Sequence, residues 1–268
     1  MKEYRIKPGS RFRLKDCNPD DRRFCPDKDK AKEETGKLLK RLDRLQERLY
    51  AEGRQSLLIV LQGMDTAGKD GVIRHVMSGV SPQGCQVASF KVPSREEQSH
   101  DFLWRIHQKV PPRGWIGIFN RSHYEDVLVT RVHGHVIKQE EERRYKEINR
   151  FEKMLVLNGT TIIKFFLHIS KEEQRERLMD RAKDPQKRWK LSLSDLSERS
   201  YWRKYQKVYE ETIAGTSTDY APWYIVPANH KWYRNWVTAS IIVDTLEEMH
   251  PRIPPPDPQI PFSRLKIR

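Results

Sequence analysis

The stretch that decides the fold of this chain is Ser56-Leu-Leu-Ile-Val-Leu-Gln-Gly-Met-Asp-Thr-Ala-Gly-Lys-Asp-Gly71. Its apolar, partly β-branched first half predicts a buried strand. Gly63 and Gly68 then let the backbone turn sharply and point its N–H groups at a phosphate, and Lys69 adds a mobile positive charge. This order of strand, glycine-bounded loop and helix is that of a phosphate-binding loop, or P-loop. The stretch therefore predicts an α/β fold with a site for phosphates.

The loop departs from an ordinary P-loop in its acidic residues. A bare match to the pattern also fits a tight strand-to-helix turn without a ligand, but here a helical pattern over residues 72–77 follows, as the motif requires. Asp70 stands where ordinary P-loop enzymes place a Ser or Thr that holds Mg²⁺, and Asp65 adds a second acid inside the loop. Either the metal ligand has moved to Asp65, or the loop is not a standard ATP site.

The composition indicates a globular protein with a polyanionic partner. The 268 residues suit one domain, and hydrophobic residues make up 37% of them. The formal net charge of +14 favours nucleic acid, an anionic membrane surface or a phosphate-rich substrate, although many basic proteins are simply soluble cations. Apolar runs fall short of the roughly 20 residues that span a bilayer, and the N-terminus lacks the apolar core of a signal peptide. We therefore expect a cytoplasmic protein, not bound to membranes, whose 3 cysteines are reduced thiols.

From residue 56 onward, strand and helix patterns alternate. Strands are predicted at residues 56–62, 86–90, 115–119, 161–169 and 223–227. Helices are predicted at residues 69–78, 95–109, 139–157, 171–182 and 231–249, with capping boxes at Ser94 and Ser170. This alternation predicts a five-stranded parallel sheet covered by helices on both faces, with ligands beyond the carboxyl ends of the strands.

Three segments lie outside this alternation. Residues 1–30 are polar and irregular, and we interpret them as an arm without a core of its own. Residues 30–53 form a predicted helix whose leucines recur at three- and four-residue steps, a spacing that packs on the core or on a second subunit. Residues 251–268 form a proline-rich tail.

Two clusters after predicted strands carry residues suited to phosphate chemistry. Asn120 and Arg121 follow the third strand, with Glu125 and Asp126 a few residues on. Phosphoryl transfer needs positive groups on the phosphate oxygens and acids that hold a metal, and this cluster supplies both. The alternative is a structural ion pair between Arg121 and Glu125. After the second strand, residues 90–95 are the candidate for binding an acceptor phosphate.

A third cluster lies on a predicted lid. Residues 178–190 carry arginines and lysines on both sides of a helix break at Pro185, among them Arg181 and Arg188. A mobile basic segment can close over phosphates and exclude water, so that transfer outcompetes hydrolysis. A solvated charged loop is the alternative. We place this lid at about residues 178–205.

Four stretches together resemble the second family of polyphosphate kinases. They are Gly63-Met-Asp-Thr-Ala-Gly-Lys-Asp-Gly71, Ser89-Phe-Lys-Val-Pro93, His100-Asp-Phe-Leu-Trp-Arg105 and Phe119-Asn-Arg-Ser-His-Tyr-Glu-Asp126. The Asn-Arg-Ser-x-Tyr-Glu form is similar to the subgroup that phosphorylates AMP as well as ADP. The resemblance implies a thymidylate-kinase-like, three-layer P-loop kinase fold. It also implies inorganic polyphosphate as donor, held in a basic channel, with Mg²⁺ (or Mn²⁺) assisting.

The resemblance also implies roles for individual residues. By motif position, catalytic roles fall on Asp65, Lys69, Arg121 and Arg181. We expect phosphate binding by Gly63, Ala67, Gly68, Lys69, Asp70, Gly71, Arg74 and Arg188. We expect acceptor binding by Phe90, Lys91, Pro93, Asn120, Arg121 and Glu125. Our hypothesis is that Asp65 and Glu125 bind the metal, but Asn120 replaces an aspartate of the family, which leaves the ligand set open.

Two other functions compete with this interpretation. One is an ATP-dependent nucleoside or nucleotide kinase of the same fold. The other is a nucleic-acid-binding protein with an incidental P-loop, although no DNA- or RNA-binding module is recognisable in the sequence. We expect polyphosphate, AMP, ADP and ATP as partners and no nucleic acid. The leucine-faced helix and the resemblance both favour a homo-oligomer, a dimer or a tetramer.

Overall fold

A five-stranded, all-parallel sheet lies at the centre of the computed structural model, which describes residues 1–260 and 262. The strands are β1 (Ser56–Gln62), β2 (Cys85–Ser89), β3 (Ile116–Asn120), β4 (Thr160–His168) and β5 (Trp223–Pro227). Their order across the sheet is β2-β3-β1-β4-β5. Because β1 lies between β3 and β4, the P-loop that follows it emerges at the middle of the carboxyl edge, where ligands bind in such sheets.

Helices connect the strands and cover the sheet. They are α1 (Lys28–Glu52), α2 (Lys69–Val76), α3 (Arg95–Gln98), α4 (Trp104–His107), α5 (Glu125–Val132), α6 (Lys138–Leu157), α7 (Lys171–Lys183), α8 (Leu193–Ser200), α9 (Trp202–Thr216) and α10 (Lys231–Met249). Short 3₁₀ turns at Lys2–Tyr4, Leu14–Asp16 and Arg188–Lys190 complete the described elements. None of the described helices combines the length and the apolar character that a bilayer crossing requires.

Both faces of the central strand are buried, each in a different core. Leu57, Ile59 and Leu61 belong to a core shared with α1, α2 and α10. Leu58 and Val60 belong to a second core shared with α5, α6 and α9. Because successive side chains of a strand point to opposite faces, a strand covered on both sides is apolar throughout. The three-layer α/β architecture predicted from the sequence is therefore confirmed.

Every predicted strand is confirmed to within one residue at each end, but one predicted helix is wrong. Residues 95–109 divide into α3 and α4. The capping box at Ser94 is present, yet α3 ends at Ser99, whose N–H bonds to the carbonyl of Glu96. The Asp101 side chain then accepts the N–H of Leu103 at 3.0 Å, which makes a turn in place of a helical bond.

The sequence analysis did not predict α5, α8 or α9 as helices. Helix α9 is rich in aromatic and β-branched residues, which have low intrinsic helix propensity. Tertiary packing decides its conformation, because Tyr205, Val208, Tyr209 and Ile213 are all buried in the second core. Packing against the sheet thus overrides local preference in this segment.

The leucine face of α1 packs within the chain. Leu42, Leu45 and Leu49 are buried in the first core together with residues of α10. The spacing therefore reports intramolecular packing, and it no longer favours a second subunit.

The two terminal segments pack on the core or lie extended. The arm is consistent with its interpretation as a segment without a core of its own, since Tyr4 joins the first core and Leu14 the second. In the tail, Pro251 is buried and the N–H of Arg252 bonds to Glu52 at 3.3 Å. Residues 261 and 263–268 of the predicted tail lie outside the described residues.

Candidate active site

The loops after β1, β2 and β3 meet the lid segment around one cleft of about 620 Å³. The cleft is lined by Asp65, Thr66, Gly68, Lys69, Asp70, Gly71, Ser89, Phe90, Lys91, Asn120, Arg121, Arg181, Lys187, Trp189, Lys190 and Asp195. A second cavity of about 270 Å³ shares Asp65 and Arg121 with this cleft and adds Gly63 and Glu125. The structure thus brings together residues from all three clusters that the sequence singled out.

The P-loop has the backbone geometry of a phosphate cradle. Gly68 starts α2 with φ of 103°, a left-handed conformation that favours glycine, and Thr66 also has positive φ, at 65°. The Nζ of Lys69 donates to the carbonyl of Gly63 at 2.8 Å. Burial, followed by the charge of Arg121, lowers the pKa of Lys69. An anion in the cleft would favour its charged form, so Lys69 is suited to a phosphate ligand.

Arg121 lies between two carboxylates. Its Nη2 is 3.2 Å from Oδ1 of Asp65, and its Nη1 is 3.8 Å from Oε2 of Glu125. Its backbone has φ of 65°. For an L-residue that conformation costs roughly 1–2 kcal/mol, and such strain clusters at functional sites. The structural ion pair considered above is present, but the guanidinium remains 44% exposed and open to a phosphate.

Glu125 is a carboxylate whose surroundings disfavour charge. Burial raises its pKa above the usual 4.5, although Arg121 and Lys69 act in the opposite direction. Gln62, buried at the end of β1, also acts to lower this pKa, and its Nε2 donates to the hydroxyl of Ser122 at 3.2 Å. A second cation beside Glu125 would favour its charged form.

The two residues that depart from ordinary P-loop enzymes contact each other. The Nδ2 of Asn120 donates to Oδ1 of Asp70 at 2.8 Å. An aspartate at position 120 would place a like charge against Asp70, whereas the amide stabilises it. The two unusual residues, Asp70 and Asn120, are thus complementary hydrogen-bond partners.

The lid contributes cations and one aromatic residue to the cleft. Arg181, near the end of α7, and Lys187 and Lys190 beyond it line the cleft, and Trp189 lies at its mouth with 76% exposure. The Nε of Arg188 instead donates to the carbonyl of Ala182 at 2.9 Å, and Arg188 is not among the lining residues.

The other predicted phosphate and acceptor residues occupy several environments. Arg74 is exposed on α2 away from the cleft lining. Ala67 is buried and directs its carbonyl to the back of the loop, where arginines donate to it. Phe90 packs edge-on against Phe119 with ring centroids 5.0 Å apart. Pro93 lines a separate cavity of about 820 Å³.

The sequence analysis missed residues that hold the P-loop from behind. The guanidinium of Arg177 donates to the carbonyls of Thr66 and Ala67 at 2.8 and 3.1 Å and to Glu173 at 2.6 Å. The Nε2 of Gln174 donates to the carbonyl of Asp65 at 3.1 Å. Both residues lie on α7, one to two turns before Arg181, so the lid helix and the P-loop are hydrogen-bonded together. Nothing in the local sequence signals these contacts.

A buried polar network supports the loop that carries Arg121. His123 and Tyr124 both bond to Oε1 of Glu152, at 3.3 and 2.8 Å. Oε2 of Glu152 accepts from Nζ of Lys164 at 2.6 Å. All four side chains are fully buried or nearly so. They therefore position the loop without reaching the cleft.

The carboxylates suit a cation that is shared with a substrate. Among the described residues no group of three or more His, Cys, Asp or Glu side chains is suited to a metal ion. Asp65 and Glu125 nevertheless converge on one cation, Arg121. Mg²⁺ is commonly held by one or two carboxylates together with substrate phosphates and water. The pair therefore fits Mg²⁺ that enters with a phosphate ligand.

A P-loop on a central parallel strand, an arginine on the neighbouring strand and a basic lid define a phosphotransferase of the P-loop kinase fold. The chain belongs to the family described as polyphosphate kinase 2 (PPK2), whose model matches residues 26–254. It is 54% identical to the AMP/ADP-polyphosphate phosphotransferase of Meiothermus ruber, covering 96% of this chain and 97% of the relative. It is 46% identical to the ADP-polyphosphate phosphotransferase of Rhodopseudomonas palustris, covering 86% of this chain and 84% of the relative.

A solved structure has the same fold over almost its whole length. The crystal structure of polyphosphate kinase 2 from Arthrobacter aurescens superposes with a TM-score of 0.94 at 44% identity. The match covers 98% of this chain and 94% of that chain. The resemblance noted in the sequence, the fold and the enzyme class are therefore confirmed.

Proposed function

We propose that this protein transfers the terminal phosphoryl group of inorganic polyphosphate to AMP and to ADP, giving ADP and ATP. One observation carries the proposal: cations from the P-loop, the end of β3 and the lid line the same cleft in a member of this family. The names of both relatives specify polyphosphate as a substrate, and one specifies AMP as well as ADP. The net charge of +14 is suited to a long polyanionic donor.

The reaction needs only positioning and charge stabilisation. A phosphate oxygen of AMP or ADP forms a bond to the terminal phosphorus of polyphosphate while the P–O anhydride bond to the rest of the chain breaks. The electron pair of that bond stays on the shortened polyphosphate. Because the phosphoryl group passes directly from donor to acceptor, no covalent enzyme intermediate is needed. We assign Lys69, Arg121 and Arg181 to the charge that develops on the phosphoryl oxygens in a loose transition state.

We propose that Asp65 and Glu125 hold Mg²⁺, or Mn²⁺ in its place, together with phosphate oxygens. When bound, the ion supplies charge neutralisation between donor and acceptor phosphates. Arg121 now occupies the space between these carboxylates, so it is placed to turn towards a phosphate when a metal enters.

The deciding experiment is incubation of the pure protein with AMP, Mg²⁺ and long-chain polyphosphate without ATP, followed by nucleotide analysis over time. We expect ADP first and ATP after it. The Lys69→Met variant should form neither product. Lys146→Met removes an exposed lysine from α6 and should match the wild type. ADP formed only when ATP is the donor would overturn the proposal and favour an ATP-dependent kinase.

Two further proposals concern location and assembly. A cytoplasmic location is consistent with the three thiols, which are unpaired in the structure. A homo-oligomer rests on the family resemblance alone, because the leucine face of α1 is used within the chain. Sedimentation of the purified protein tests it.

A further inference from the structure

A buried arginine, Arg234, lies behind the P-loop. Arg234 lies in the first turn of α10 and is only 2% exposed. Its Nη1 donates to the carbonyl of Ala67 at 3.3 Å. A Cβ on Gly68 would overlap its guanidinium, and one on Gly71 would come within 2.9 Å of Nη2. Both glycines that begin α2 thus leave room for this side chain.

Arg234 is a buried cation without a carboxylate. Its other hydrogen bonds go to the amide oxygen of Asn235, at 3.2 and 2.9 Å, and the described residues contain no ion pair of this guanidinium. Arg177, its neighbour behind the loop, is paired with Glu173 at 2.6 Å. Burial, with the charge of Arg177 second, lowers the pKa of Arg234 to about 9. The free protein therefore holds a positive charge here that nothing negative balances.

Such an arrangement is unfavourable unless an anion arrives nearby. A buried charge lacking a partner destabilises a folded protein, and its replacement by an apolar side chain of similar size is often neutral or stabilising. The loop in front of Arg234 is the one whose N–H groups and Lys69 are suited to phosphate. Arg234 itself does not line the cleft, so it acts across the thickness of the loop backbone.

We propose that Arg234 is a positioning residue for the donor: its charge, fixed behind Gly68 and Gly71, is balanced by the polyphosphate that occupies the P-loop. The inference rests on the proposed function. It assigns Arg234 to binding of the polyanion rather than to the acceptor, because its side chain lies against Ala67, Gly68 and Gly71 of the P-loop. An arginine suits this position because its guanidinium donates to Ala67 while lying beside two glycines that have no Cβ.

The test compares Arg234→Met with Arg234→Lys, and Arg150→Met serves as the control. Arg150 is exposed on α6, so its removal changes the net charge equally without touching the loop. Initial rates are measured against polyphosphate and against AMP separately. We expect Arg234→Met to raise the KM for polyphosphate about tenfold, with smaller changes in kcat and in the KM for AMP. Arg234→Lys should retain much of the wild-type affinity, and the control should not change.

Thermal unfolding with and without polyphosphate separates this role from a merely structural one. Arg177 also donates to the carbonyl of Ala67, so Arg234→Met leaves that oxygen bonded. We expect its Tm without ligand to equal or exceed that of the wild type, and the rise in Tm on adding polyphosphate to be smaller. A lower Tm without ligand together with an unchanged KM for polyphosphate would overturn the proposal.

This design also separates the inference from the proposed function. If the wild type forms no product from polyphosphate, the proposed function fails by itself. In that case the Tm of the wild type and of Arg234→Met is still measured with polyphosphate and with ATP. A smaller rise in Arg234→Met shows that Arg234 balances the charge of a phosphate chain in the loop. An equal rise in Tm for both proteins would then overturn the inference.

Discussion

Replacing Glu152 by glutamine tests the buried network beneath the loop that carries Arg121. Lys164 is 0% exposed, and its Nζ donates to Glu152, to the hydroxyl of Tyr124 and to the carbonyl of Thr216. Burial acts to raise the pKa of Glu152, but the charge of Lys164 and a bond from His123 keep it below its usual value. Glutamine preserves the shape of the side chain, but it removes the charge and replaces one of the two acceptor oxygens by a donor.

The protonation state of Lys164 determines the size of the effect. In the variant, Lys164 either stays charged without a counter-ion or loses its proton. Deprotonating a lysine of ordinary pKa at pH 7, about 3.4 pH units below that pKa, costs about 4.6 kcal/mol, which is the upper limit for the loss of its counter-ion. Breaking a buried pair by removing one partner typically costs about 3–5 kcal/mol. We therefore expect Glu152→Gln to lower the free energy of unfolding by about 3–4.5 kcal/mol.

The loss of unfolding free energy in Glu152→Gln should decrease as the pH rises. Burial already lowers the pKa of Lys164, and loss of Glu152 would lower it further. In the variant the unfolded chain then binds more protons than the native state, so stability rises with pH. The difference from wild type should shrink by up to about 2.7 kcal/mol between pH 7 and pH 9.

Urea unfolding at both pH values measures these effects. Glu147→Gln, on the same helix, breaks an exposed pair with Arg143 and should cost less than about 1 kcal/mol. The double variant Glu152→Met/Lys164→Met should recover much of the loss, because no buried charge remains. A loss below about 1 kcal/mol in Glu152→Gln, unchanged between pH 7 and pH 9, would refute the reasoning.

Three further outcomes are expected. Lys69→Ala should lower the rate of ATP formation from ADP and polyphosphate by about 100-fold or more with an unchanged far-UV circular dichroism spectrum, and a folded variant with a near-normal rate would remove Lys69 from the mechanism. Burial raises the pKa of Glu125 above 4.5, so its carboxylate becomes available for a metal only as pH rises through that raised value. The acid limb of the kcat/KM profile should therefore lie above pH 4.5 and disappear in Glu125→Gln; a variant that keeps the limb contradicts this assignment. Gly68→Ala should lose more stability and activity than Gly134→Ala, since both have positive φ but only a Cβ at Gly68 meets a buried guanidinium, and equal losses would show that φ alone decides.

Local pattern was sufficient for the sheet and for the centre of the site. The central strands β1 and β4 are almost continuous apolar runs buried on both faces, and all five strands were located to within one residue. The loop from Gly63 to Lys69 is recognisable in the sequence because its phosphate-binding groups lie in consecutive residues. Where packing outweighs propensity, as in α9, or where a side chain makes a turn, as at Asp101, local pattern was insufficient.

By itself, then, the sequence determined the strands of the sheet and the phosphate-binding loop that follows β1. Only the tertiary structure decided which of the candidate site residues touch. The order β2-β3-β1-β4-β5 places β3 beside β1, so Arg121 reaches Asp65 and Asn120 pairs with Asp70, although 56 and 50 residues separate them in the chain. Arg234 arrives behind Gly68 from the far end of the chain. Such contacts depend on strand order and on helix packing, and the hydrophobic periodicity of a single segment predicts neither of them.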